Sequence, residues 1–179
     1  MSQDTAPDDT PPIETLTDPE TLRDHPAVEY LAETKEVPSD EFDQLREDLA
    51  VDGWVVLGLG NDAGAVLLMD DGTHGWTLPA IPVRESDWAA RGREVAEGLT
   101  DRRVRLDRVE RVRRLDYHEQ GGDGHVTVHH VVVRTDPVAG EPTAAEPTVG
   151  CDGSADVGWF DALPEELAGT VAADARLFF

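Results

Sequence analysis

Apolar positions change their spacing along this chain, and the changes mark out its elements. Residues 1 to about 20 are rich in Asp, Glu, Thr and Pro and carry almost nothing apolar, a composition that predicts a disordered tail. From Pro19 to Glu36, Leu22, Val28, Tyr30 and Leu31 give a helix-like spacing that Pro26 breaks in two. Ser39 then reads as the N-cap of a second helix whose stripe is Phe42, Leu45 and Leu49. Beyond residue 50 the runs become short and β-rich. Trp54 to Leu59 and Ala65 to Met69 read as a hairpin turning near Asn61 to Gly64.

Trp76 to Val83 is held extended by Pro79 and Pro82, and Ser86 to Leu99 reads as a helix. Val104 to Tyr117 and His125 to Arg134 form two long strands joined at Gln120 to Gly124. Residues 136 to 156 read as loop, Val157 to Phe160 as a short strand, and Leu163 to Leu167 as the start of a helix with Pro164 in its first turn. Helices interleaved with mostly non-parallel strands indicate a layered α/β fold around a mixed sheet. The expected organisation is a disordered tail over 1–20, a helical segment over 21–50 and one domain over 51–179.

Charge adds a setting. Acidic residues number 38 against 15 basic ones, for a net charge of -23, and Lys35 is the one lysine. Such a surface suits a cytoplasm of very high salt, where counterions screen self-repulsion, so a halophilic source is expected. It argues against general nucleic-acid or anionic-membrane binding. Cys151 stands alone, which excludes an intramolecular disulfide. With no long apolar run and no basic-then-apolar leader, a soluble cytoplasmic protein is expected.

The candidate chemistry lies between Glu85 and Glu97. Seven residues separate Glu85 from Arg93-Glu94-Val95-Ala96-Glu97. On a helix Glu94 and Glu97 share a face and can reach one divalent ion, while the fork of Arg93 suits pairing with Glu85. This spacing resembles the core of the Nudix box. Trp76-Thr77-Leu78-Pro79 resembles that family's lead-in to the box, and Gly158-Trp159-Phe160 with Leu163-Pro164-Glu165-Glu166-Leu167 resembles its last strand and final helix. The resemblance spans Trp54 to Leu167.

It implies a Nudix-like α/β/α sandwich and Mg²⁺- or Mn²⁺-dependent cleavage of the phosphoanhydride of a nucleoside diphosphate derivative. Glu94 and Glu97 would hold the metal, with Arg93 and Glu85 orienting them. The departures are Pro79 at the leading glycine, a short glycine-free connection from Ala80 to Arg84, and Gly98, Thr100 and Asp101 where the family has glutamate, glycine and an aliphatic residue. Loss of the glutamate at position 98 motivates a second expectation, a non-catalytic nucleotide-sensing or protein-interaction module. Oligomeric state is left open.

Other polar groups carry weaker signals. Seven arginines between Arg102 and Arg114 are expected chiefly to pair with surrounding acids. On a strand His125 and His129 share a face and His130 opposes them. Glu119 and Asp123 are candidates for a general base supplied by a later loop.

Overall fold

A computed structural model describes residues 13–149 and 155–179. Cys151 and the first 12 residues of the expected tail lie outside the described residues. The strands are β1 (Glu29–Val37), β2 (Gly53–Gly58), β3 (Val66–Asp70), β4 (Trp76–Thr77), β5 (Ala80–Val83), β6 (Leu106–Glu119), β7 (His125–Thr135) and β8 (Asp156–Phe160). The helices are α1 (Ser39–Asp48), α2 (Trp88–Thr100) and α3 (Gly169–Ala175). Five strands form a mixed sheet in the order β1-β6-β7-β2-β5, and β4-β3-β8 form a smaller antiparallel sheet.

The fold is mixed α/β, as the pattern predicts, and alternation along the strands assigns its layers. Val55 and Leu57 of β2, Val112 of β6, and Val131 and Val133 of β7 face one way, onto Ala89, Val95, Ala96 and Leu99 of α2. Val56 of β2 and Val132 of β7 face the other way, onto Ala175 of α3 and Val66 and Leu68 of the smaller sheet. The central sheet is thus covered on one face by α2 and on the other by α3 and the small sheet.

Five expectations change. The span expected to be helical between Pro19 and Glu36 holds a single 3-10 turn, Pro19–Leu22, and then strand β1. β1 pairs in parallel with β6 from Glu29↔Arg111 to Val37↔Glu119. As an edge strand with most residues exposed, it needs few apolar side chains, so its local pattern did not announce it. The β2–β3 hairpin closes only at its bend, through the Gly60↔Val66 bridge and a Leu67 N–H donated to the Leu59 carbonyl. The two strands then part into different sheets.

Ser39 does not cap α1. Pro38 holds the cap position, and the Ser39 hydroxyl donates to Glu119 instead. Leu163 to Leu167 makes only a turn, closed by the Leu167 N–H on the Pro164 carbonyl, and helix begins at Gly169. Nor are residues 13 to 20 a loose tail. Leu16 is buried, Ile13 packs on the core, and the Ile13 N–H donates to the Leu106 carbonyl at 3.1 Å. Two apolar residues in the right place anchor a segment that composition assigned to disorder.

The expected ion pairing of the arginine strand is present. Asp174, 5% exposed, accepts from Arg111 at 2.7 Å and from Arg113 at 2.9 and 3.0 Å. Arg111 also reaches Glu29, Arg114 reaches Asp116, and Arg108 reaches Glu110.

Candidate functional site

Helix α2 presents the residues singled out by sequence. Asp87 starts it, its Oδ1 accepting from the Ala90 N–H at 2.8 Å, and Asp101 ends it in a left-handed conformation with φ 54°. Trp88, Ala89, Gly92, Val95, Ala96 and Leu99 point into the core. That leaves Glu94 and Glu97 exposed on the outer side, as the i, i+3 spacing requires.

Their surroundings differ from the expectation. Glu94 Oε2 accepts from Arg91 Nη1 at 2.9 Å, and Glu97 Oε1 receives the Val104 N–H at 3.4 Å. Arg93 makes no pair with Glu85. Its Nη1 donates to the Ile13 carbonyl at 3.1 Å, because the N-terminal segment lies along this side of the helix. The same segment is stitched to the helix start by the Leu16 N–H on Asp87 Oδ2 at 3.0 Å and the Trp88 N–H on the Leu16 carbonyl at 2.8 Å. Glu85 is exposed, with φ 45°, and its N–H donates to Asp52 Oδ2 at 2.6 Å. A left-handed φ at a residue with a Cβ is strained, and the expected glycine-free connection is here strand β5 followed by a tight bend at Glu85 into α2.

Position 98 is also built over. The Thr148 N–H donates to the Gly98 carbonyl at 3.2 Å, and the Ala144 N–H donates to the Leu99 carbonyl at 2.9 Å. The β7–β8 connection thus satisfies carbonyls at the end of α2. A Cβ at position 98 would stand 3.0 Å from both Thr148 oxygens. The site where a second glutamate would project is covered by backbone.

What the helix does border is a cleft of about 380 Å³, lined by Pro82, Arg84, Ser86, Asp87, Arg91 and Glu94. Arg84 and Arg91 were absent from the sequence-based site. Arg91 pairs with Glu94 at i, i+3 on the same helix, a spacing the sequence does carry, whereas Arg84 reaches the cleft across the bend at Glu85, which no local pattern encodes. Among the described residues, no group of three or more His, Cys, Asp or Glu gathers as a ready-made metal cage. A hard ion such as Mg²⁺ does not need one, since one or two carboxylates plus substrate oxygens and waters suffice. Glu94 and Glu97 fit an ion that arrives with a diphosphate; they do not fit one held permanently by protein alone. Glu119 and Asp123 do not line this cleft.

The histidines divide as strand alternation predicts. His129 Nε2 meets Glu20 Oε1 at 2.6 Å on the α2 side, and His130 lies on the opposite side, edge-on to Trp54. Burial works to raise the Glu20 carboxyl. Hydrogen bonds from Tyr30, His129 and Arg23 outweigh it and hold the group at about 2. Burial, with the Arg113 charge nearby, pushes His130 below its ordinary value.

No family model matches the chain, and no curated protein matches it. Among solved structures, the MutT NUDIX hydrolase of Burkholderia pseudomallei is similar, at 21% identity over 70% of this chain and 95% of that one, with a TM-score of 0.41. At that level the likeness adds nothing about activity beyond what the residues carry. No helix among the described residues is long and apolar enough to cross a membrane.

Proposed function

We propose that this protein is a Nudix-type hydrolase that cleaves the phosphoanhydride of a nucleoside diphosphate derivative. The observation that carries the reading is the pair of exposed carboxylates, Glu94 and Glu97, on one side of α2, with Glu94 lining a cleft that also holds two arginines. A bound Mg²⁺ or Mn²⁺ supplies charge neutralisation at the diphosphate and a more acidic water. The chain's own part is to present Glu94 and Glu97 as oxygen ligands and to set Arg84 and Arg91 against the phosphate charge. Arg93 serves here as an anchor for the N-terminal segment, and Glu85 as the bend that brings Arg84 round.

The test is turnover of a panel of nucleoside diphosphate derivatives in molar salt with Mg²⁺ or Mn²⁺. Glu94→Gln and Glu97→Gln are each expected to lose on the order of 10- to 100-fold in turnover. Because both residues are exposed, stability should move by no more than about 0.5 kcal/mol. Full turnover in both variants overturns the assignment.

A second reading, a non-catalytic nucleotide-sensing or interaction module, is favoured by the covering of position 98. With Thr148 seated on Gly98, the helix offers two carboxylates where the family pattern has three. Saturable binding of the same compounds without turnover would select it.

A further inference from the structure

The central sheet ends in an unpaired edge. β1 is its outermost strand, 9 residues long, and it runs along β6 without a register shift. Among the described residues no strand lies on its other side. The Val37 carbonyl accepts from the Gln120 N–H at 2.9 Å, so the backbone groups of Val37 turn inward, toward β6. Alternation turns those of Leu31, Glu33 and Lys35 inward as well, and those of Ala32, Thr34 and Glu36 outward. An outward row of N–H and C=O groups is a template for another strand. No bulge and no proline interrupts it before Pro38.

The side chains along this edge say which strand fits. Glu33 and Lys35 lie two apart and face the same side of the sheet, toward α3. Lys35, the one lysine of the chain, rests over the Tyr117 ring at 5.9 Å and makes no salt bridge among the described residues. Glu33 reaches Arg113 Nε only at 3.8 Å, and that guanidinium is already held by Asp174. Glu29, by contrast, is engaged by Arg111 at 2.6 Å.

A second copy of β1 fits antiparallel against the first when the two-fold axis passes through Thr34. Glu33 then stands opposite the partner's Lys35, and Lys35 opposite the partner's Glu33. These are non-hydrogen-bonded positions, where facing side chains come closest. Leu31 meets the partner's Val37, and Val37 meets the partner's Leu31. The outward residues make the ladder. Thr34 pairs with the partner's Thr34, and Ala32 with the partner's Glu36, for about six backbone hydrogen bonds. Moving the axis to Glu33 sets glutamate on glutamate, and moving it to Lys35 sets lysine on lysine. Charge therefore selects the register about Thr34.

We infer that two copies of this chain associate edge to edge through β1, antiparallel about Thr34, so that one sheet runs through both. The net charge of -23 on each copy opposes the approach. Salt at about 1 M, with a screening length of about 3 Å, removes that opposition and spares contacts at hydrogen-bond distance. One pair of edges buries less than a standard interface, so the association is weak and depends on concentration. Neither α2 nor a metal takes part, and the inference stands apart from the hydrolase reading.

Sedimentation equilibrium of the full chain in molar salt tests it. The mass is expected to rise from one copy toward two between about 10 μM and 1 mM. Lys35→Glu turns both cross-copy attractions into repulsions and should weaken dimerisation at least about tenfold. Lys35 is exposed, so the variant should keep its fold by circular dichroism. Thr34→Pro removes an outward N–H at an edge position, where proline is tolerated, and should act in the same direction.

Cysteine cross-linking reads the register. In a Cys151→Ser background with oxidised glutathione as oxidant, Thr34→Cys should give a disulfide-linked dimer, its two Cα atoms about 5.5 Å apart. Ala32→Cys should not, since roughly 14 Å separates the two copies of that position. A mass of one copy up to about 1 mM would leave the edge to a strand of another protein and overturn the inference. So would a dimer unaltered by Lys35→Glu, or Ala32→Cys cross-linking as readily as Thr34→Cys.

Discussion

Asp174 is where a small change should matter most for the fold. The carboxylate is 5% exposed and accepts three bonds, one from Arg111 and two from Arg113. Asp174→Asn keeps the shape, removes the charge, and turns one acceptor into a donor facing a guanidinium. Arg111 retains Glu29 at 2.6 Å. Arg113, with its side chain 4% exposed, retains only Glu33 at 3.8 Å. An uncompensated buried guanidinium sets the expected loss at about 3–5 kcal/mol, a large part of the roughly 5–15 kcal/mol that holds a domain folded.

Arg113→Met removes the stranded charge, so the Arg113→Met/Asp174→Asn pair should recover about 2 kcal/mol relative to Asp174→Asn alone. The assay is urea unfolding followed by tryptophan fluorescence at fixed molar salt, with urea chosen because it adds no ions. A loss under about 1 kcal/mol in Asp174→Asn, or no recovery in the double variant, refutes the buried-charge argument.

Three further outcomes follow from local geometry. His130 is pushed down by burial, so between its folded value and the ordinary value of about 6.5 the unfolded chain binds the extra proton and stability falls as pH drops; unfolding of His130→Phe between pH 5 and 8 should lack that contribution. Glu20, held at about 2 from an ordinary 4.5, contributes stability above pH 4.5 that is lost as pH falls towards 2, and Glu20→Gln should flatten the acid limb of the same curve. Glu85→Gly relieves the left-handed bend at φ 45° and should raise unfolding stability by about 0.5–1 kcal/mol, whereas a Glu85 that orients the site through its carboxylate would show instead as lost turnover.

Sequence legibility tracked how local each determinant is. α2 was readable because its apolar period and its exposed carboxylates lie within one 13-residue element. β6 and β7 were readable because each alternates over a long run with a glycine-rich turn between them. β1 was not, since an edge strand such as Glu29–Val37 is chosen by the partner it hydrogen-bonds and not by its own apolar content. Ile13 and Leu16 were lost in an acidic stretch because two anchors do not change a composition. The small sheet could not be foreseen from the β2–β3 bend, whose register is local while the divergence beyond it is set by β8, far along the chain.

The same distinction decides how the Glu85–Glu97 segment should be understood. Its spacing is a local property, and the structure honours it, with Glu94 and Glu97 exposed on one side of a helix. The roles assigned to its neighbours depend on what else approaches. Arg93 is drawn to the Ile13 carbonyl, 80 residues away in sequence, and Gly98 is sealed by Thr148. Gly98 is therefore more than a missing ligand. Glutamate there would regain about 0.5–1 kcal/mol of helix propensity, but its Cβ would press on Thr148 at 3.0 Å and threaten a hydrogen bond worth about 1 kcal/mol. The two effects nearly cancel, so thermodynamics alone does not hold glycine at this position. Fitting a third carboxylate on α2 would mean moving the β7–β8 connection as well as changing one residue.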